Sequence, residues 1–267
     1  MLKLRLFAAL VIAGGVLAAC DDAPSQGNAI GTTKTATSSG SSSSATTVSS
    51  VKANVVWPGM APEDMNVAID SNLTRSNFMV VYDGSGSMDY DSCGSNSPNR
   101  HADGVIALKE FVKAVPDDAN LGLFVFDGKG MAVRVPLAVG NRDIFLSEVD
   151  SISIGQGTPL RSAIKTAYFE LKNRAYRQLG YGRYSLVIVT DGEANSGEDP
   201  TRIVNDIIDE TPVEVHTVGL CFSGRHSLNQ AGRTFYTDAQ NPAQLIEGLK
   251  SVLAETSVDD AAEFNTQ

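Results

Sequence analysis

From Val80 to Met88 the chain reads Val-Val-Tyr-Asp-Gly-Ser-Gly-Ser-Met, an apolar run that breaks abruptly into a carboxylate, serines and glycines. The preceding stretch, Phe78 to Tyr82, is β-branched and aromatic, the pattern of a strand buried on both faces. Asp83, Ser85 and Ser87 therefore place hard oxygen donors at the carboxyl end of a strand. In an open α/β sheet that edge is where ligands bind. Serines and glycines after a strand also make an ordinary turn into a helix, so this stretch by itself supports two readings.

The spacing Asp83-x-Ser85-x-Ser87 after a hydrophobic strand resembles the metal-ion-dependent adhesion site (MIDAS) of von Willebrand factor type A (vWA) domains. Two further segments stand downstream in the family's order. Gly157-Thr158-Pro159-Leu160 precedes a helical pattern, and Thr190-Asp191-Gly192-Glu193 follows the apolar run Leu186–Val189. The resemblance covers residues 78–256. It implies that Ser85 and Ser87 coordinate a cation through their hydroxyls and that Asp83 sits in or just outside the first shell. It further implies that Asp191 holds a coordinated water, and that Thr158 is a movable ligand, with a partner's carboxylate completing the octahedron. Mg²⁺ is the expected ion, because it takes oxygen ligands and gives up its waters reluctantly. Mn²⁺ fits the same geometry, and Ca²⁺ fits a site that can expand. A centre built largely of neutral hydroxyls leaves its cation under-neutralised and attractive to an external carboxylate.

The elements that must position these residues alternate. A helix is expected after Arg100, with Val105, Leu108, Val112 and Val115 as its inward stripe, ended by Pro116. Leu121–Phe126 and Met131–Val139 read as an antiparallel pair joined by Asp127-Gly128-Lys129-Gly130. A short helix over 142–152, a long one from about Leu160 to Leu179 and strand Tyr184–Val189 follow. Next come a helix capped by Asp199, strand Val213–Leu220, a short strand at Thr234–Tyr236 and a last helix after Asn241-Pro242. The fold expected is α/β, a doubly wound, mostly parallel sheet with one antiparallel edge strand.

The flanks read differently. Residues 1–19 carry Lys3 and Arg5 and then an apolar run suited to a signal peptide. The run ends in Leu17-Ala18-Ala19-Cys20, which resembles a bacterial lipobox, so Cys20 is the expected lipidation site. Asp21 after it resembles the enteric signal for retention at the inner membrane, giving an expected place on the periplasmic side of the cell envelope. Residues 20–50 are Ser/Thr-rich and unable to repay the entropy of folding, hence a tether spanning about 30 Å. Residues 51–77 read as a lead-in packed on the core through Trp57, 78–256 as the domain, and 257–267 as a tail. Cys93 and Cys221 remain after Cys20. Export favours a bridge between them, the alternative being two free thiols too far apart to join.

A formal charge of −10 argues against a nucleic-acid partner. Enzyme chemistry finds no His-Glu-x-x-His, no G-x-S-x-G and no phosphate loop, since Gly128-Lys129 is followed by Gly130. His101, His216 and His226 are scattered. A basic run, Arg161 to Arg183 with Lys165, Lys172, Arg174 and Arg177, reads as a solvated face or a docking surface. Asp89, Asp91 and Glu193 read as solvated loop acids. The expectation is a non-enzymatic, lipid-anchored protein that binds a protein partner through a cation. Assembly or regulation of a membrane complex or ATPase system is the alternative, and a metal-assisted hydrolase stands further off. The oligomeric state, the partner and any switching of Thr158 lie beyond the sequence.

Overall fold

A computed structural model describes residues 56–63, 67–222 and 224–258, with side chains to residue 254. The chain divides between Ser49 and Ser50, and the described residues all fall in the second unit. The leader over 1–19, Cys20, the tether over 20–50 and all of the 257–267 tail except 257–258 lie outside the described residues.

Strand β1, Asn77–Asp83, is buried along its whole length, as an unbroken apolar run requires. It lies at the centre of a six-stranded sheet with β2 (Asn120–Asp127), β3 (Gly130–Ala138), β4 (Tyr184–Thr190), β5 (Glu214–Leu220) and β6 (Phe235–Ala239). The order is β3-β2-β1-β4-β5-β6. Every pairing is parallel except β2–β3, which the two-residue turn Gly128-Lys129 closes as a hairpin. The expected class, a mostly parallel α/β sheet with one antiparallel edge strand, is the class observed.

Strand order reverses between β1 and β4, because the chain leaves β1 toward β2 and later returns to β1's other side. Loops from the carboxyl ends of those strands diverge to opposite faces and open a crevice between them. Helices α1 (Arg100–Ala114), α2 (Arg142–Asp150) and α5 (Pro242–Val258) cover one face. There Phe78, Val80 and Tyr82 pack with Leu108, Phe111, Phe145 and Leu245. Helices α3 (Leu160–Arg177) and α4 (Thr201–Glu210) cover the other, where Met79 and Val81 meet Leu160, Ile164, Leu171 and Ile207. The period-two alternation of β1 thus feeds two cores at once.

Helix α1 presents the expected stripe to the core: Leu108, Val112 and, at its C-cap, Val115 are buried, and Val105 packs against them half-buried. Asp103, Gly104, Ala107 and Phe111 are buried alongside that stripe and widen it. Phe111 meets Phe78 edge-on, with ring centroids 6.2 Å apart. Gly104 lies against the Tyr82 hydroxyl, where a Cβ would collide. The aliphatic spacing thus finds the buried face, while the contacts of Phe111 and Gly104 with the aromatics of β1 are added by the fold.

The lead-in packs on the α3 side. Trp57 stands 5.5 Å from the Tyr184 ring and 6.2 Å from that of Tyr168. Asp70 accepts hydrogen bonds of 2.8 and 3.2 Å from Arg174, whose guanidinium also reaches the carbonyl of Leu137. Arg161 faces Glu198 at 3.5 Å. The basic run is therefore not one continuous face: Arg174 belongs to the lead-in's anchor, and Arg161 to a loop acid.

Cys93 and Cys221 form a disulfide with Cα atoms 5.6 Å apart. It ties the loop after β1 to the end of β5, both on the sheet's carboxyl edge.

Candidate metal centre

The site starts from the register of β1 on β4. Tyr82 lies opposite Val189, so Asp83 and Thr190 emerge side by side at the switch point. The Thr190 hydroxyl donates to Asp83 Oδ2 at 2.6 Å, and the Ser85 amide donates to Oδ1 at 2.8 Å. Burial pushes the Asp83 carboxyl up to about 6; these bonds oppose the rise, and the charge of Asp191 adds to it.

After Asp83 the chain runs through Gly84 and Ser85 into a single 3-10 turn, Gly86–Asp89. Gly84 is required there by close approach: a Cβ would stand 2.8 Å from that of Asp127 and 3.0 Å from the carbonyl of Phe126. The turn brings the hydroxyls of Ser85 and Ser87 to 3.1 Å from each other. Ser87 Oγ then donates to Asp191 Oδ1 at 2.7 Å. Asp83, Ser85, Ser87 and Asp191 are thus gathered in one connected group, although 104 residues separate Ser87 from Asp191.

Thr158 belongs to the adjacent loop. Gly86 donates to the carbonyl of Gln156 at 3.0 Å, and Gly155 to that of Gly84 at 2.9 Å, so the two loops are laced together. Thr158 itself is nearly buried and held through its backbone. Its amide donates to Asn195 Oδ1 at 3.0 Å, and the Asn195 amide donates back to its carbonyl at 2.9 Å. Among the described residues its side chain makes no hydrogen bond to the group around Ser87.

Three residues outside the expected set shape the centre. Arg100, the first residue of α1, donates through Nη1 to Asp191 Oδ2 at 2.8 Å. Asn195 fixes Thr158, as described. Glu198 accepts from the Ser162 amide at 2.8 Å and from its hydroxyl at 3.0 Å, capping α3, whose own N-cap Pro159 offers no side-chain acceptor. Only Arg100 carries a signal in the sequence, a cation at a helix start where the macrodipole disfavours one. Asn195 and Glu198 look like any polar loop residues.

The rim acids are engaged locally: Asp89 accepts from Asn99 at 2.9 Å, and Glu193 from the amide and hydroxyl of Ser227 at 3.2 Å. His226 receives the Leu228 amide on Nδ1 at 3.1 Å, so Nε2 carries the proton given to the Gly192 carbonyl at 3.0 Å. His216 stacks on Phe235 with centroids 4.6 Å apart. A cleft of about 240 Å³ opens beside the Thr158 loop, lined by Phe126, Met131, Gln156 and Pro159 among others.

As a donor set the group suits a hard divalent cation. It offers carboxylate and hydroxyl oxygens and includes a carboxylate held in surroundings hostile to its charge, which a cation would relieve. Among the described residues no three His, Cys, Asp or Glu side chains cluster as a metal-binding group, which sets this centre apart from carboxylate- or imidazole-rich ones.

Residues 78–193 match the family model described as the von Willebrand factor type A domain, and the sheet and its helices are a vWA-like α/β fold. No curated protein sequence matches significantly. Solved structures similar in fold include the protein BatB from Bacteroides thetaiotaomicron, 20% identical with a TM-score of 0.50 over 67% of this chain and 98% of that one. The manganese-loaded TRAP protein of Plasmodium vivax is 17% identical, with a TM-score of 0.51 over 67% of this chain and 73% of that one. Proximal thread matrix protein 1 of the mussel byssus, with a zinc-occupied MIDAS motif, is 17% identical, with a TM-score of 0.50 over 67% and 45%. At these identities the likeness is one of fold.

Proposed function

We propose that this chain is a lipid-anchored envelope protein whose vWA domain grips a protein partner through a divalent cation. Asp83, Ser85, Ser87, Thr158 and Asp191 hold the ion, Mg²⁺ or alternatively Mn²⁺ or Ca²⁺. The observation that carries this reading is the Ser85–Ser87–Asp191 chain beside a buried Asp83 at the β1/β4 switch point. A manganese-loaded and a zinc-occupied relative in fold support the choice of a cation site.

The bound cation would offer an open coordination position to an anionic oxygen of the partner. The chain's own residues prepare that position. Ser87 donates its hydroxyl hydrogen to Asp191 and so accepts from Ser85, which leaves one lone pair on Ser87 and both on Ser85 to face an ion. Asp83, gripped by Thr190 and the Ser85 amide, is fixed before any ion arrives. The cleft beside Thr158 gives room for a partner side chain next to the carboxylate. The reading is non-catalytic: the ring nitrogens of His226 are committed to backbone groups, and His216 is stacked in the sheet.

The lipid anchor is carried by Cys20, with Asp21 favouring the inner membrane's periplasmic side. Among the described residues no helix is long and apolar enough to cross a membrane.

The test is a pull-down from detergent-solubilised envelope with the full chain, run in Mg²⁺, in chelator, and with Asp83→Ala in Mg²⁺. A partner retained only by wild type in Mg²⁺ supports cation-bridged binding. The same proteins captured in all three conditions would remove the metal from the grip.

A further inference from the structure

Arg100 occupies an unfavourable place for a cation. It is the first residue of α1, where the helix dipole presents positive charge. The structure nonetheless fixes it firmly. Its amide donates to the Tyr90 carbonyl at 3.0 Å, its guanidinium carbon lies 5.4 Å from the centroid of the Tyr90 ring, and Nη1 reaches Asp191 Oδ2 at 2.8 Å. Asp191 is fully buried in its side chain, whereas that of Arg100 keeps 20% exposure. Arg100 Nε is buried and meets no acceptor among the described residues. Asp191 is thus shared, one oxygen taken by Ser87 and the other by a permanent cation that the proposed ligand set does not include.

We infer that Arg100 sets the charge of the metal centre so that the loaded site stays positive and favours an anionic ligand over the bare ion. This rests on the cation-binding reading above. Asp83 and Asp191 contribute two negative charges when ionised, and Arg100 returns one positive charge. A divalent cation then leaves the group one unit positive; without Arg100 the same group would be neutral. The rim acids Asp89 and Glu193 shift both totals equally, so the difference belongs to Arg100 alone. A like charge beside the ion weakens ion binding, and the same charge strengthens capture of a carboxylate. Arg100 in this role trades affinity for the metal against affinity for the partner.

The experiment uses the full chain in detergent with Mn²⁺ and acetate as probes. Mn²⁺ affinity is read by electron paramagnetic resonance, and acetate binding by relaxation of its methyl protons by protein-bound Mn²⁺. Arg100→Gln, which keeps an uncharged donor on a shorter side chain, and Arg100→Met, which keeps none, should both bind Mn²⁺ about tenfold more tightly. Both should hold acetate about three- to tenfold more weakly. Arg100→Lys should keep wild-type values in both. Neutral variants that fold and leave both constants unchanged overturn the inference while the metal reading stands. Weaker Mn²⁺ binding by both neutral variants also overturns it and makes Arg100 only a clamp on Asp191. Should neither neutral variant fold, Arg100→Lys decides, since altered Mn²⁺ or acetate binding with charge retained refutes a charge effect. Wild type that takes up no Mn²⁺ removes the metal reading and this inference together.

Discussion

Asp83 is pulled two ways, by burial that disfavours its charge and by donors that stabilise it. Burial prevails, and the carboxyl titrates at about 6 where an unfolded chain has 3.8. Because the folded value is the higher, the folded protein holds the extra proton between those limits. The stability this lends is present below the unfolded value and lost as pH rises through about 6. In chelator, Asp83→Asn should therefore gain stability relative to wild type as pH rises from about 4 to 7, by about 3 kcal/mol at most. An asparagine can reproduce both hydrogen bonds, accepting from Ser85 and donating to Thr190. Thermal unfolding of the pair across that range checks it, and a constant difference refutes it. With Mg²⁺ at pH 7 the order should reverse, since an ion bound only by the folded wild type adds stability by mass action.

At the scale of elements, the centre depends on loops holding one another. The segment after β4 holds the start of α3 at two points, through Asn195 on Thr158 in the loop before it and through Glu198 on its first turn. Glu198 thereby acts as the side-chain cap that Pro159 is unable to provide. Glu198→Ala should lower stability by about 1 kcal/mol, the usual worth of a helix cap, as read by urea denaturation. It should also weaken Mg²⁺ binding, because the first turn it anchors through Ser162 begins at Leu160, two residues beyond Thr158. A variant with native Mg²⁺ affinity would show that the Asn195 bonds alone hold that loop.

At the scale of the whole molecule, the Cys93–Cys221 bridge spans 128 residues and fastens the loop after β1 to the end of β5. Closing so long a loop restricts the unfolded chain, which stabilises the fold by about 2–4 kcal/mol. Cys93→Ser with Cys221→Ser should lose about that much in denaturant titrations. An unchanged midpoint would mean that the interlaced loops suffice without the bridge. The lead-in acts at the same scale: Trp57 against Tyr184 and Asp70 on Arg174 attach residues before β1 to the α3 side of the sheet. This is why the basic run does not form a uniform surface.

The alternation of strands and helices, and the oxygen donors at the ends of β1 and β4, are legible in the sequence because they depend on neighbours within a few residues. An apolar run that stops at Asp83 or Thr190 marks a sheet edge wherever the strand lies. The inward stripe of α1 is legible for the same reason, but what it packs on was decided elsewhere, by Tyr82 and Phe78 on a strand it meets only after folding. Arg100 meets Asp191 across 91 residues, and Asn195 meets Thr158 across 37, distances that no local pattern encodes. Sheet order and strand register turn those separations into contacts. The chain's residue types thus determined what chemistry this edge can offer, while the tertiary structure alone decided which oxygen takes which proton and which cation stands beside it.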